Sequence, residues 1–183
     1  QLGSCSLKKS PSLNLSPLTS LGLPPTSEDK LVTASGLDYK MLIKWGENIS
    51  STQKFGFNND FIAFHPLSSS RALLWVNHEY INPVFIGGNE RTRKNVEQEM
   101  LEVGGSILEI QRMKNQWKVI SNSPFNRRLD AHTKIPFAWD SMIKEKSYAL
   151  GTMGNCAGGK TPWGTFLTCE ENYDMFWGDV DRQ

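Results

Sequence analysis

Short segments rich in β-branched and aromatic residues, separated by turn-forming residues, recur along this chain from about residue 31 onward. Phe61–Leu67 and Arg71–Tyr80 flank a Ser-Ser-Ser turn. Ser106–Met113 and Trp117–Ser121 alternate apolar with polar positions around a Lys-Asn-Gln turn. Segments of this length and spacing are typical of antiparallel hairpins, so the sequence predicts strands that pair in chain order.

One segment predicts a helix. Arg93–Val103 is rich in Glu and Gln and is followed by Gly104 and Gly105, which favour the end of a helix. Sequential hairpins with a single short helix predict an all-β architecture, either a sandwich or the blades of a propeller.

The segment "GNCAGGKT", Gly154–Thr161, fits the pattern of a phosphate-binding loop. In such a loop a helix follows the Lys-Thr pair directly, so that backbone amides cradle the phosphates. Pro162 disfavours helical dihedrals at Thr161, and Gly164–Glu171 then resembles a strand. We therefore interpret Ser147–Met153 and Gly164–Glu171 as strands and do not expect a nucleotide site here.

The composition excludes two classes of function. The chain has 183 residues, with 20 Lys and Arg against 19 Asp and Glu, and 38% of its residues are hydrophobic. The basic residues are scattered along the sequence, so nucleic-acid binding is not expected. The apolar runs are too short to span a bilayer. We expect a globular protein that acts as a monomer.

The first 30 residues differ from the rest. Ser4–Ser27 is dominated by Ser, Leu and Pro without a sustained period, which suits an extended tether. The start "QLGSC" resembles the end of a bacterial lipoprotein signal, with Cys5 as the possible lipid anchor. An ordinary free cysteine in a flexible terminus is the alternative. Residues 1–30 are thus predicted to be a signal remnant or tether, and residues 31–183 to be the folded domain.

The three cysteines, Cys5, Cys156 and Cys169, are an odd number without a C-x-x-C pair. This argues against a disulfide framework and against a structural zinc site. A bridge between Cys156 and Cys169 remains open.

Two strand ends repeat each other approximately: "LWVNHEY", Leu74–Tyr80, and "FLTCEEN", Phe166–Asn172. This alignment pairs Glu79 with Glu170. In radially repeated sheets, equivalent strand ends lie around a common axis, so the two carboxylates could converge on one site.

Residues suited to metal binding are concentrated near these strand ends. Carboxylate and amide oxygens suit hard cations such as calcium, whereas a thiolate shifts selectivity toward iron, zinc or copper. The mixture indicates a mixed or redox-capable metal site, although His78 fits a structural role better. The residues concerned are Asn58, Asn59, Asp60, Asn77, His78, Glu79, Asn155, Cys156, Gly158, Gly159, Glu170, Glu171 and Asn172.

Five segments together resemble the PhoX-type alkaline phosphatases. They are "FGFNNDFIAF", "LLWVNHEYINP", "GGSILEI", "SPFNRRL" and "LGTMGNCAGGKTPWGTFLTCEENY", and they occur in order between Phe55 and Tyr173. The last is long and chemically unusual, and in it Lys160 occupies a variable position, which explains the chance match to a phosphate-binding loop.

The resemblance implies a six-bladed β-propeller hydrolase whose central site holds iron and calcium and releases phosphate from small-molecule phosphomonoesters. It implies that Cys156 is an iron ligand and that Glu79 and either Glu170 or Glu171 are carboxylate ligands. We prefer Glu170 because of its alignment with Glu79. No catalytic residue beyond the metal ligands is identified.

The resemblance also implies an exported protein, either periplasmic or a cell-surface lipoprotein. Members of the family are longer, so this chain is expected to form roughly the first blades of the propeller and to be inactive alone. Two alternatives stay open. One is a non-catalytic partial propeller that binds a ligand or partner, and the other is a related propeller esterase or lactonase.

Overall fold

The computed structural model describes residues 23–34, 36–88, 90, 92–143 and 145–172. The chain divides into two compact units, Gln1–Met41 and Leu42–Gln183. In the first unit, the described residues form no regular helix or strand. The predicted lipid anchor at Cys5 and most of the predicted tether lie outside the described residues.

The second unit is mostly antiparallel β-sheet. The strands are β1 Asn59–Pro66, β2 Arg71–His78, β3 Gly104–Met113, β4 Gln116–Val119, β5 Arg127–Leu129, β6 Lys134–Pro136, β7 Tyr148–Leu150, β8 Asn155–Lys160 and β9 Phe166–Glu170. The largest sheet has the order β1-β2-β3-β4, and β5 also pairs with β3. Two smaller sheets have two strands each, β6-β7 and β8-β9.

The core lies on one face of the five-stranded sheet. Alternate residues of β2 and β3 are buried there, as the period of two in a strand requires, and residues from the segment that precedes β1 cover them. The core residues are Ile49, Phe55, Ala72, Leu74, Val76, Leu108 and Ile110.

Helix α1, Arg93–Glu102, connects β2 to β3. Its N-cap is Thr92, whose hydroxyl accepts a hydrogen bond from the Asn95 amide. At the other end, the buried Arg128 guanidinium donates to the carbonyl oxygens of Leu101 and Val103, at 3.0 and 2.8 Å. These bonds satisfy carbonyl groups that the end of the helix leaves unpaired. Arg128 therefore has a structural role.

A buried carboxylate, Glu109 on β3, is fully matched by its neighbours. Its side chain is 1% exposed and accepts hydrogen bonds from Arg71 Nε and Ser123 Oγ, at 2.7 and 2.6 Å. The Asn126 side chain also holds this strand. It accepts a hydrogen bond from the Glu109 backbone amide and donates hydrogen bonds to the carbonyl oxygens of Ile49 and Ile120. The segment Ser123–Arg128 therefore stabilises the sheet through hydrogen bonds.

Within the described residues, the structure confirms the predicted hairpins, the one helix and the mainly β class. The segment 155–160 is strand β8, and residues 161–172 after it form no helix, so a phosphate-binding loop is excluded. Cys156 and Cys169 are free thiols, so the bridge that the sequence left open is not formed. Within the described residues, no helix is long and apolar enough to cross a bilayer. The sheets do not close into a propeller, which stays a prediction.

Candidate metal site

Two hairpins of the structure share one backbone design. The first hairpin consists of β1 and β2 with their flanking residues, Asn58–Tyr80, and the second of β8 and β9 with theirs, Gly154–Asn172. In the first, Asn59 pairs with His78 and Ile62 with Val76. In the second, Asn155 pairs with Glu170 and Gly158 with Thr168. Each first strand therefore carries one extra residue, a β-bulge, immediately after its first pair.

The residues that flank the strands match as well. Asn58 and Gly154 precede the first strands and have positive φ values of 46° and 61°. Their carbonyl oxygens accept hydrogen bonds from the amides of Glu79 and Glu171, at 3.0 and 2.8 Å. These two glutamates are the first residues after the second strands. Position by position, the hairpins thus equate Asp60 with Cys156 and Glu79 with Glu171.

The bulges place Asp60 and Cys156 at one site. A bulge re-aims the side chain of the extra residue, so two neighbours in a strand no longer point to opposite faces. The side-chain Nδ2 of Asn155 donates to the hydroxyl groups of Thr152 and Thr168. The thiol of the adjacent Cys156 instead lies beside the carboxylates of the first hairpin. The potential ligand atoms of Asp60, Glu79 and Cys156 all lie within 4.8 Å of one another.

Two contacts hold the second hairpin against the first. Asn77 on β2 is fully buried, and its Nδ2 donates to the Cys156 carbonyl oxygen at 2.6 Å. Its Oδ1 accepts from Trp75 Nε1 and Thr168 Oγ1, at 2.6 and 2.9 Å. Gly158 lies directly against the Phe61 ring, where a Cβ would collide with it. The close approach that brings Cys156 to Glu79 therefore requires a residue without a side chain.

The electrostatics of the cluster are those of acids that face one another. Glu79 is 8% exposed, and its burial, with smaller contributions from the carboxylates of Asp60 and Glu171, raises its pKa. The Cys156 thiol lies beside the carboxylates of both Asp60 and Glu79, and its one proton can go to either. The bond to Asp60 is the largest effect, followed by burial and Glu79, and together they raise the pKa of Cys156 to about 12.

The donor set fits a metal cation. Within the described residues, no lysine or arginine forms an ion pair with Asp60 or Glu79. A cation in contact with the sulfur would favour the thiolate and would compensate the two carboxylates. One thiolate beside carboxylate oxygens suits iron at the sulfur and a harder cation such as calcium at the oxygens.

The structure brings together two of the four predicted metal ligands, Glu79 and Cys156, and adds Asp60. Glu171 lies outside this group of three, but its charge acts on Glu79. The Glu170 carboxylate instead accepts a hydrogen bond from the Met153 amide at 2.9 Å. The alignment made from the sequence is thus displaced by one residue, and Glu171 occupies the position equivalent to Glu79.

Asp60 was named among the candidate residues but was not predicted to be a ligand. The signal that could have identified it is a second repeat, at the other end of each hairpin. Asn59-Asp60 and Asn155-Cys156 are both an asparagine followed by a potential ligand. This repeated pair indicates that Asp60 and Cys156 have equivalent roles, although it does not decide between Glu170 and Glu171.

His78 is a structural residue. It is fully buried, with Nδ1 3.1 Å from the Phe57 carbonyl oxygen and Nε2 2.7 Å from Ser106 Oγ. Burial, and to a lesser degree the nearby Arg128, lower its pKa to about 3, so the ring is neutral. A neutral ring that donates from Nδ1 and accepts at Nε2 satisfies both contacts.

The fold and the site together define an antiparallel β protein in which two bulged hairpins join carboxylates and a thiol. The sequence profile of the family described as "Alkaline phosphatase PhoX" matches residues 20–183. Because this match spans most of the sequence, the chain belongs to the PhoX alkaline phosphatase family.

A solved structure supports this assignment. The chain is similar to Pseudomonas fluorescens PhoX in complex with vanadate, a transition state analogue, with 30% sequence identity and a TM-score of 0.68. The similarity covers 79% of this chain and 30% of that one, so the chain spans less than a third of the length of this relative. Among curated protein sequences, none matches this chain.

Proposed function

We propose that this chain takes part in the iron- and calcium-dependent hydrolysis of small-molecule phosphomonoesters. The observation that carries the proposal is the meeting of Cys156, Asp60 and Glu79 within 4.8 Å in a chain of the PhoX family. A thiol between two carboxylates has no evident role in packing, because a fully apolar residue would fill the same space without desolvating charge.

The proposed ligands are Cys156 for iron, with Asp60, Glu79 and Glu171 as carboxylate ligands. We favour Glu171 over Glu170 because it follows its strand as Glu79 does and because its charge acts on Glu79. The Glu170 carboxylate already caps the Met153 amide.

When bound, such metal ions polarise phosphoryl oxygens and neutralise the negative charge that develops during phosphoryl transfer. The protein's own residues hold the geometry. The Asn77 side chain fixes the backbone of Cys156. The amides of Glu79 and Glu171 are fixed by the hydrogen bonds that they donate to the carbonyl oxygens of Asn58 and Gly154. Pre-organised placement of this kind is the usual contribution of a protein to electrostatic catalysis.

The proposal includes a six-bladed propeller, in which the five-stranded sheet and the second hairpin belong to adjacent blades. It is supported by the similarity to Pseudomonas fluorescens PhoX and by the packing of β8 against β1 and β2. It also includes export, as a periplasmic protein or a lipoprotein anchored at Cys5. Phosphomonoesters outside the cytoplasm would then be the substrates.

The test compares two cysteines of the same hairpin. Wild type, Cys156→Ser and Cys169→Ser are purified, and iron and calcium per chain are determined by elemental analysis. Hydrolysis of p-nitrophenyl phosphate is measured on the same samples. Cys169 is exposed on β9 and lies outside the acid cluster, so it is the matched control.

We expect iron in wild type and Cys169→Ser, and a loss of roughly 10-fold or more in Cys156→Ser. Wild-type protein without iron, or equal iron in the two variants, would exclude the proposed ligand set. Iron without hydrolysis would retain the metal site and exclude catalysis by this chain on its own.

A further inference from the structure

Two residues next to the proposed carboxylate ligands connect the two hairpins directly. Tyr80 follows Glu79, and Asn172 follows Glu171, so the pair occupies equivalent positions. Asn172 Nδ2 donates to Tyr80 Oη at 2.8 Å and to Glu171 Oε1 at 2.8 Å. The Glu79 carboxylate lies close enough to the Tyr80 hydroxyl to interact with it. We call this connection the Tyr80–Asn172 bridge.

The chemistry of the groups fixes the direction of each hydrogen bond. An ionised carboxylate only accepts, so the nitrogen of the Asn172 amide, and not its oxygen, faces Glu171. The second amide proton goes to Tyr80 Oη, whose own proton stays available to the nearby Glu79 carboxylate. The bridge therefore joins Glu171 to Tyr80 through Asn172 and places the Tyr80 hydroxyl beside Glu79.

The bridge contributes little to packing. Tyr80 is 36% exposed and Asn172 is exposed, so neither side chain belongs to the core. Asn172 also has a φ of 50°, a conformation that asparagine tolerates better than most residues. A hydrogen-bonded link between two exposed residues is weak as a source of stability, but it restrains the two carboxylates that it joins.

We propose that Tyr80 and Asn172 are positioning residues that hold Glu79 and Glu171 in the arrangement that binds metal. This inference rests on the proposed function, because it assumes that these carboxylates are ligands. Residues that hydrogen-bond to metal ligands commonly change metal affinity by 10- to 100-fold. The bridge acts on two ligands from two hairpins, so it sets their separation as well as the orientation of each.

The experiment measures the affinity of metal-free protein for cobalt(II) by competition with a chelator. Absorption by the thiolate–cobalt pair reports whether Cys156 is coordinated. Tyr80→Phe removes the hydroxyl alone, and Tyr148→Phe is the matched control, because Tyr148 lies on β7 and contacts Lys134. Asn172→Gly removes the amide and keeps the backbone conformation accessible. Thermal unfolding without metal is recorded for each variant.

We expect Tyr80→Phe and Asn172→Gly to bind cobalt about 10-fold more weakly than wild type, with a changed thiolate–cobalt spectrum. Their thermal unfolding without metal should equal that of wild type, and Tyr148→Phe should match wild type in every measurement. Equal affinity and spectrum in wild type and both bridge variants would overturn the positioning role alone. Wild type without bound cobalt would overturn the proposed metal site and, with it, this inference.

If Tyr80→Phe does not fold without metal, the same measurements on Asn172→Gly test the positioning role. If both variants unfold without metal, the bridge is a structural element and the proposal is wrong.

Discussion

The first and second hairpins share a bulge, a positive-φ residue and a backbone bond, but they differ in what surrounds them. In the first, β2 lies inside a five-stranded sheet, and its last residue, His78, is fully buried. In the second, the equivalent last residue is Glu170, which is exposed on a two-stranded sheet. The backbone design therefore positions the proposed ligands, and the surroundings decide whether the preceding residue is structural.

The largest expected effect concerns these two strand ends. His78→Ala removes a buried ring and leaves Ser106 and the Phe57 carbonyl without their partner. We expect the free energy of unfolding to fall by about 4 kcal/mol. Glu170→Ala, at the equivalent exposed position, should cost below about 1 kcal/mol. Urea unfolding of both variants in metal-free protein measures the difference.

Similar losses for His78→Ala and Glu170→Ala would contradict the comparison. They would mean that the second hairpin depends on its strand end as much as the first does.

The next effect tests the shared backbone design. Gly154→Ala places a side chain at a positive φ and against the carbonyl oxygen of Glu171. We expect a loss of about 3 kcal/mol, from strain and from collision. Asn58→Ala changes the equivalent residue of the first hairpin, where only the positive φ is at stake, and should cost about 1 kcal/mol. Chemical denaturation compares the two, and an equal cost would show that the Glu171 contact is unimportant.

The third effect tests the alignment of the hairpins. If Glu171 is equivalent to Glu79, Glu171→Gln and Glu79→Gln should each lower metal affinity roughly 100-fold, or about 2.7 kcal/mol. Glu170→Gln has the same change of charge at the adjacent position and should keep wild-type affinity. Chelator competition with cobalt(II) distinguishes the variants. A greater loss in Glu170→Gln would restore the alignment made from the sequence.

The sequence predicted the parts of this site that follow from regular periodicity. The hairpin of Phe61–Leu67 and the single strand within Gly164–Glu171 were identifiable because alternation and turn residues specify strands. The strand β8 was not predicted, since Asn155–Lys160 contains small residues and none that is β-branched. The three-residue strands β5 and β6 are too short to show a period.

The bulges explain why the sequence did not predict the positions of Asp60 and Glu171 in the site. A bulge adds one residue and reverses the facing of every residue before it, but it leaves no compositional mark. Asp60 could therefore not be placed beside Cys156 from spacing alone. Glu170 was preferred over Glu171 for a related reason, because the last paired residue of β9 is known only once the register is known.

The last effect, the smallest when measured over a single pH unit, distinguishes the two hairpins by pH. Burial lowers the pKa of His78 to about 3 from an ordinary value near 6.5. The unfolded chain therefore binds one more proton than the folded chain between these values, and stability should fall by about 1.4 kcal/mol per pH unit as pH drops from 6.5 toward 3. Glu79 acts in the opposite direction, because its raised pKa makes the folded state bind the extra proton.

The His78 contribution is isolated by comparing wild type with His78→Gln in urea at several pH values, without metal. The difference between their stabilities should shrink by about 1.4 kcal/mol for each pH unit below 6.5, because only wild type has the imidazole to protonate. A constant difference between wild type and His78→Gln would mean that the ring is protonated in the folded protein. The first hairpin would then hold a charge where its buried contacts with Ser106 and Phe57 require a neutral ring.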